Sequence, residues 1–430
     1  MPFETSFGLP RRIAVIGAGI SGMGAAYHLG KTQSVTLFEA EPRLGGHART
    51  VLAGKNGDQP VDTGFIVFNY ANYPNLTKLF DELDVPVVKS DMSFAASIDN
   101  GSIEYGLRNL SALLAQKSNL LRPGFVRMIR DILHFNAKVE AAATDPTMTI
   151  GTLMDQMGMG RWFRDYYLTP ISGAIWSTPK EDIMDFPAQA LVQFFKNHAL
   201  LHHQGQHQWW TVEGGSIEYV NRLEGAMRRL GVRVELGKPI DAVRRITGGV
   251  EVLHQGAWEV FDEVVFATHS DDSLRLLSDP SAQEAAALAA VRYQSNEAIL
   301  HADRRAMPKR EVTWSAWNYT EREAHKHGPI DLTYWMNCLQ PIPKDDPLFV
   351  TLNTRAPIDD RLIYDTTSFR HPVFDVAALQ SQGTIRAMNG TNNTWFCGAW
   401  MKNGFHEDGY SSAMDVVHAI EARDMAVLVA

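Results

Sequence analysis

RRIAVIGAGISGMGAAYHLG, residues 11–30, decides the fold. A short apolar run, Ile13 to Ile16, is followed by Gly17, Gly19 and Gly22, with Gly24 just behind. The run is too short and too poor in leucine for an export signal, and no small-residue cleavage site follows. It is long enough for a buried strand. The spacing is then strand, G-x-G-x-x-G, helix. Gly17 permits the tight turn, Gly19 lets backbone approach a pyrophosphate, and Gly22 lets the helix lie close to the sheet. Ile20 and Ser21 open that helix, which ends at Gly30. A second strand, SVTLFEA, closes on Glu39, placed to bind a ribose hydroxyl, with Ala40 beside it. The acid favours an unphosphorylated adenosine ribose, hence FAD or NAD over NADP.

At 430 residues the chain is expected to form two or three domains. Its net charge of −9, from 40 basic and 49 acidic residues, argues against a nucleic-acid binder. The two cysteines, Cys338 and Cys397, lack metal-ligand spacing and point to a reducing, cytoplasmic compartment. No apolar stretch reaches the roughly 20 residues that span a bilayer.

EAEPRLGGHART, residues 39–50, carries Arg43, the doublet Gly45-Gly46, His47, Ala48, Arg49 and Thr50. It resembles the second glycine motif of the flavin-containing amine oxidase superfamily, which includes phytoene desaturases and protoporphyrinogen oxidase. There the doublet lies against the flavin's phosphate and ribitol, and the arginine adds a donor fork. VDTGF, residues 61–65, with Thr63, Gly64 and Phe65, follows as the resemblance implies. The stretch from Thr211 through the Gly214-Gly215 turn to the strand carrying Ile240 and Val243 resembles the family's middle segment, where this strand grips the adenine side. A buried strand, Val264 to Ala267, comes next. The C-terminal stretch around Gly398, Ala399, Asp408, Gly409 and Tyr410 resembles the closing FAD motif, with a helix N-terminus near the flavin N1/O2 edge.

The resemblance implies an α/β fold: a Rossmann-like FAD-binding domain of the amine oxidase type with an interleaved α+β substrate domain. The FAD-binding pieces fall at about 1–90, 206–275 and 384–430. The substrate domain falls at 91–205, expected to be helical with a possible membrane contact, and at 276–383, expected to be sheet-rich. FAD is expected to be noncovalent, with Cys397 a small buried hydrophobe, and no metal is implied.

GFIVFNYANYPNLTKLFDELDVPVVKSDMSF, AIWSTPKEDIMDFPAQALVQFFKNHALL, YWMNCLQ and GFHEDGYSSA carry a narrower likeness. They are similar to bacterial flavoproteins of the kind that desaturate fatty acids in the furan fatty acid pathway, whose associates are methyltransferases of the cyclopropane fatty acid synthase type. That likeness implies dehydrogenation of an acyl chain, methyl-branched and phospholipid-linked, with partner enzymes of fatty-acid modification. Oxidation of an amine or other small compound, fatty-acid double-bond isomerisation, and a non-catalytic lipid-presenting role stay open beside it. The lysine that amine oxidases place beside flavin N5 is not supplied by Asn296 or Glu297, which weighs against plain amine oxidation.

His406 and Glu407 fall where the closing loop should pass the flavin. Each can act as base, tune the flavin, or simply cap a helix. Asp408 is expected to cap the helix opening at Gly409. Tyr410 stands where amine oxidases turn an aromatic toward the substrate. Phe65, Phe68, Trp176, Phe186, Phe194, Trp314, Trp317, Tyr334 and Trp335 are candidate walls of an acyl channel, each also a plausible core residue.

Residues 122–143, RPGFVRMIRDILHFNAKVEAAA, show helical periodicity, with Phe125, Met128, Ile132 and Phe135 on one side. Arg122, Arg127, Arg130 and Lys138 make it either a solvated domain helix or a helix lying on anionic lipid at the inner face of the cell membrane. Residues 193–210 form a second membrane-contact candidate. Its pair His198 and His202 is not read as a metal site.

Overall fold

The structure is a computed structural model. It describes residues 10–145, 147–176, 183–197, 201, 207–321, 331–354 and 356–429. Its frame is a five-stranded parallel sheet. The order across the sheet is Arg233–Glu235, β2 (Ser34–Phe38), β1 (Arg12–Ile16), Glu263–Phe266 and Thr394–Phe396. β1 has neighbours on both sides and is buried from Ile13 to Ile16, which is why its sequence is an unbroken apolar run.

Helix α1 (Ile20–Leu29) carries Gly22, Gly24, Ala25 and Ala26. These small residues let it lie close to both the sheet and the long helix His406–Val429. A Cβ on Gly22 would sit 1.7 Å from the Gly17 carbonyl oxygen. One face of the sheet is covered by α1, Ile217–Arg229 and His406–Val429. The other face packs on an antiparallel meander, Ile240–Ile246, Gly249–His254 and Ala257–Phe261, and on helices Ala282–Ala289 and Val376–Met388.

A second sheet of seven strands draws on two distant stretches of chain. Phe94–Ile98 and Ile103–Gly106 form a hairpin at one edge, so the first inserted segment is not helical throughout. The other strands come from Arg292–His301, Trp317–Thr320, Leu332–Trp335, Phe349–Leu352 and Ile363–Val373. A helical layer packs on the hairpin. Its first member, Pro123–Ala142, buries Phe125, Met128 and Phe135 and half-buries Ile132, matching the periodicity. No described helix is long and apolar enough to cross a membrane. His198, His202 and the side chain of Trp176 lie outside the described residues.

Candidate functional site

Two helix N-termini converge on one groove. α1 starts at Gly19 with no side chain capping its first amides and no acid in its first turn. Its positive end is therefore open to an anion. The second helix starts at His406, and a Cβ on its Gly409 would meet the Ser21 Oγ at 2.9 Å and the Ile20 side chain at 3.1 Å.

Gly17 takes φ +97° and donates its N–H to the Phe38 carbonyl (2.8 Å), closing the turn. A Cβ on Gly19 would meet nothing within 4 Å, so the groove in front of it is open. The doublet comes alongside: Gly45 N–H donates to the Ala18 carbonyl (2.9 Å), and a Cβ on Gly46 would lie 3.0 Å from the Gly19 Cα. Glu39 accepts from the amides of Ala18 (2.6 Å) and Glu41 (2.9 Å), while Ala40 is exposed. Ala267 donates its N–H to Ile16 and backs the Gly17 turn.

Arg43 donates to the carbonyls of Leu44, Gly46 and Ala48, so it braces the doublet loop from within. Arg49 is a departure from the expected role. Its guanidinium is bidentate on Asp365 (2.6 and 3.0 Å), a partner 316 residues away, so it ties this loop to the large sheet and is not free for phosphate. Thr63 donates its N–H to the Arg49 carbonyl, and Phe65 donates to the His47 carbonyl. Gly64 passes so close that a Cβ would be 2.0 Å from that carbonyl oxygen. The GGHAR and VDTGF segments therefore run together as one wall. His47 is half-buried, and its Nε2 is shielded from solvent and unpartnered. Burial pushes its pKa down to about 4. Ile240, expected on the adenine side, is buried at the start of the meander. Gly398 exchanges hydrogen bonds with the Ser412 hydroxyl, and Ala399 accepts from the amides of Lys402 and Gly404.

The closing loop differs from expectation in where its helix starts and in the placing of Tyr410. Its helix opens at His406, three residues before Gly409. Asp408 does cap, but from inside the first turn: its carboxylate accepts from the Phe405 amide (2.9 Å). Burial raises its pKa to about 6. Glu407 points the other way and accepts from the Leu76 amide and from both the amide and side chain of Asn75. It thereby caps helix Pro74–Glu82; burial raises its pKa, and three donors on its two oxygens leave it less free to take a proton than Asp408. Tyr410 does not face a substrate side. One turn into the helix, its ring packs on Gly24 of α1 and its hydroxyl lies 2.7 Å from His28 Nε2.

His406 packs where the closing loop meets the VDTGF segment. Its ring stacks on Phe65, centroids 3.9 Å apart, and its Nε2 lies 2.7 Å from the Tyr219 hydroxyl. Burial, with His47 nearby, drives its pKa to about 3, so the imidazole is neutral at physiological pH. Burial likewise raises the Tyr219 pKa.

Asp62 was not singled out from the sequence, although it lies inside VDTGF. It is buried and accepts from Thr50, from the amide and hydroxyl of Ser216, and from the Gln340 side chain. It joins four stretches of chain behind the groove. Its carboxyl is raised to about 6 by burial. The alternation of apolar and polar residues gave no hint of it, because its partners are all distant. His269, Asp271 and Asp272 also lie close together, but Arg370 already bridges both carboxylates.

Among the candidate channel walls, Phe186 and Phe194 line a cleft described below, and Phe65 stacks on His406. Phe68 and Trp314 are core residues. Trp317 and Tyr334 pack edge to face between two cores, and Trp335 lies against Trp314.

The uncapped end of α1, the open space at Gly19, the close-set doublet and the orphan His47 Nε2 fit a dinucleotide whose diphosphate crosses the α1 N-terminus. The family model for flavin-containing amine oxidoreductases matches residues 20–333. The chain belongs to that family, and it is a flavin-dependent oxidoreductase of the amine oxidase superfamily. Three solved structures share the fold. A putative protoporphyrinogen oxidase from Exiguobacterium sp. 255-15 is 15% identical over 97% of this chain and 100% of its own, with a TM-score of 0.70. Cyclohexylamine oxidase from Brevibacterium oxydans IH-35A is 14% identical over 96% and 100%, TM-score 0.68. The conjugated-linoleic-acid-producing fatty acid isomerase from P. acnes is 13% identical over 96% and 99%, TM-score 0.67. Matches to curated relatives are short. Protoporphyrinogen oxidase 2 of Arabidopsis thaliana is 51% identical over 43 residues, which is 10% of this chain and 8% of that protein.

Proposed function

We propose that the protein holds FAD noncovalently and dehydrogenates a fatty acyl chain, methyl-branched and phospholipid-linked, at the inner face of the cell membrane. The observation that carries this reading is a cleft of about 1080 Å³ between helix Ala188–Asn197, residues 71–75 and the closing loop. Phe186, Val192, Phe194, Phe374, Leu379 and Phe405 give it an apolar side, and Gln189, Gln193, Lys196, Lys402, Glu407 and Asp408 a polar one. Phe405 stacks on Phe194, centroids 5.1 Å apart, immediately before His406. The phenylalanine cluster can seat an alkyl chain, and the polar groups beside it can meet a headgroup. At the lysine position of amine oxidases, Asn296 is buried and hydrogen-bonded to His371 and Asn353.

Bound flavin supplies a two-electron acceptor. Loss of a hydride and a proton from neighbouring carbons leaves a C=C bond. The phenylalanine side of the cleft offers the reacting carbons a surface poor in water. His406, neutral and held flat on Phe65, lies between the cleft residues Phe405 and Glu407 and adds no charge beside them. Asp408 lines the cleft, and with a carboxyl near pH 6 it is ionised at neutral pH and can take the proton.

Anaerobic mixing with methyl-branched phospholipid should bleach the flavin and yield one new double bond by mass spectrometry. Bleaching by amines and not by any acyl chain would establish the amine-oxidising reading, which the family model favours. A shifted double bond without lasting bleaching would establish isomerisation. Asp408→Asn keeps the capping acceptor and should slow bleaching at unchanged flavin content.

A further inference from the structure

We infer that the surface formed by residues 117–138 is a docking face for an anionic lipid bilayer. The inference extends the acyl-chain reading to how the substrate is reached, but its evidence is separate. Helix Pro123–Ala142 has a well-buried inner face, so its outer face is free to be polar throughout. It is not. Val126, Leu133 and Ala137 recur along the outer face at helical spacing and are exposed. Leu120 and Leu121 project from the turn just before the helix. Leu121 is 86% exposed, Leu133 60%, Leu120 52% and Val126 51%. Clustering of this kind on one element has a different meaning from single exposed leucines scattered over a surface.

Within residues 117–138 the charges are almost all of one sign, while the flanking acids Glu140, Asp155 and Asp165 are held in ion pairs with Lys196, Arg164 and Arg161. Lys117, Arg122, Arg127, Arg130 and Lys138 stand against a single acid, Asp131, and that acid is buried. Arg127 and Arg130 reach back toward Asp131 while remaining 55% and 75% exposed. This is a strongly basic segment in a chain of net charge −9. Trp162, half-buried against Gly124 with Tyr166 edge-on to it, adds an aromatic of the kind that sits at headgroup level. Apolar side chains flanked by basic ones are the chemistry of a helix lying in a membrane interface. A second copy of this chain, itself acidic overall and presenting the same basic face, is a poorer match.

The same helix reaches the cleft. Glu140 and Ala143, at its C-terminal end, form part of the cleft's rim. Glu140 is two turns beyond Leu133, about 10 Å along the axis. A bilayer seated on Leu121, Val126 and Leu133 therefore lies beside the cleft's mouth, and an acyl chain can pass across without crossing open water.

The test uses flavin-loaded full-length protein and sedimentation with vesicles of phosphatidylcholine alone or mixed with phosphatidylglycerol. The parent should bind the mixed vesicles and release as salt rises. Each basic residue near such a surface is worth about a factor of five in binding. The double variant Leu121→Glu/Leu133→Glu alters only exposed positions and should lose binding at least tenfold with unchanged thermal stability and flavin content. Lys117→Ser/Arg122→Ser should reduce binding to mixed vesicles and leave the weak binding to phosphatidylcholine alone unaffected. Parent-like sedimentation of the leucine double variant overturns the inference. So does a parent that binds no vesicle but dissociates from dimer to monomer when the leucines are changed, which would make this a self-interface. Detergent-dispersed acyl substrate separates the two readings. If it never bleaches the flavin although vesicles bind, the docking face stands and the acyl-chain reaction falls.

Discussion

The Tyr219 hydroxyl lies 2.7 Å from His406 Nε2, and the same imidazole is stacked 3.9 Å from the Phe65 ring. Two contacts thus fix both the plane and the rotation of a ring at the mouth of the cofactor groove. Tyr219→Phe removes the hydrogen bond and keeps the ring's bulk. We expect its flavin spectrum to be shifted at near-normal flavin content. An unchanged spectrum would mean that the pair merely packs.

The glycines of the first motif should separate by phenotype. Gly19→Leu projects into open groove, so the apoprotein should melt normally but purify without flavin. Gly22→Ala drives a methyl into the Gly17 carbonyl and should destabilise the fold by about 3 kcal/mol even without cofactor. Thermal melts of both apoproteins, with absorbance for bound flavin, check this.

Asp62→Asn places an amide donor among donors from Thr50, Ser216 and Gln340. Burial leaves no water to compensate, and a loss of about 3 kcal/mol is expected. Glu407→Ala frees the first turn of helix Pro74–Glu82 and should cost about 2 kcal/mol. Urea unfolding of each variant gives the values. A Glu407→Ala protein that keeps full stability but cannot be reduced by substrate would return this residue to a chemical role.

Stability should fall as the solution is acidified below the ordinary histidine range. Burial lowers His28, His47, His269 and His301 to about 4, and His371 and His406 to about 3. Above pH 6.5 both folded and unfolded chains hold these rings neutral. Below it the unfolded chain takes up protons that the folded chain refuses, and stability drains away toward pH 4. Asp62 and Asp408, raised to about 6, act in the opposite sense between about pH 4 and 6, but they are fewer. Melting temperatures across this range should fall with acid, and His371→Asn should flatten the slope.

Cys338 and Cys397 are both pushed up to about 12 by burial. Neither should react with iodoacetamide in the native protein, and acid precipitation should release all of the flavin into the supernatant. Pigment retained in the pellet would refute noncovalent binding.

The elements that could be read from sequence are those whose causes are local. A strand, a glycine turn and a small-residue helix follow one another within twenty positions, and their geometry is dictated by neighbours. The periodic face of helix Pro123–Ala142 is equally local. What could not be read is long-range. Arg49 looks like a phosphate ligand until Asp365 reaches it from the large sheet. Glu407 looks like a base until helix Pro74–Glu82 arrives beneath it. Tyr410 looks like a substrate contact only if the helix begins at Gly409. Moving the start to His406 places the tyrosine a turn deeper, against Gly24. The exposed leucines were present in the sequence, and the periodicity put Leu133 off the inward face, but nothing there said whether another element would cover it.

The strand order of the parallel sheet carries a consequence for folding. Its edge strand, Thr394–Phe396, and the helix that follows supply one lip of the groove, while the glycine turn, the doublet and the VDTGF segment supply the other. The groove is thus closed by contacts between residues far apart in sequence, and it exists only once the two stretches have met. Pairings of that kind form slowly, so a chain still on its way to the native state would offer both lips to a protease before it offered a seat to a cofactor.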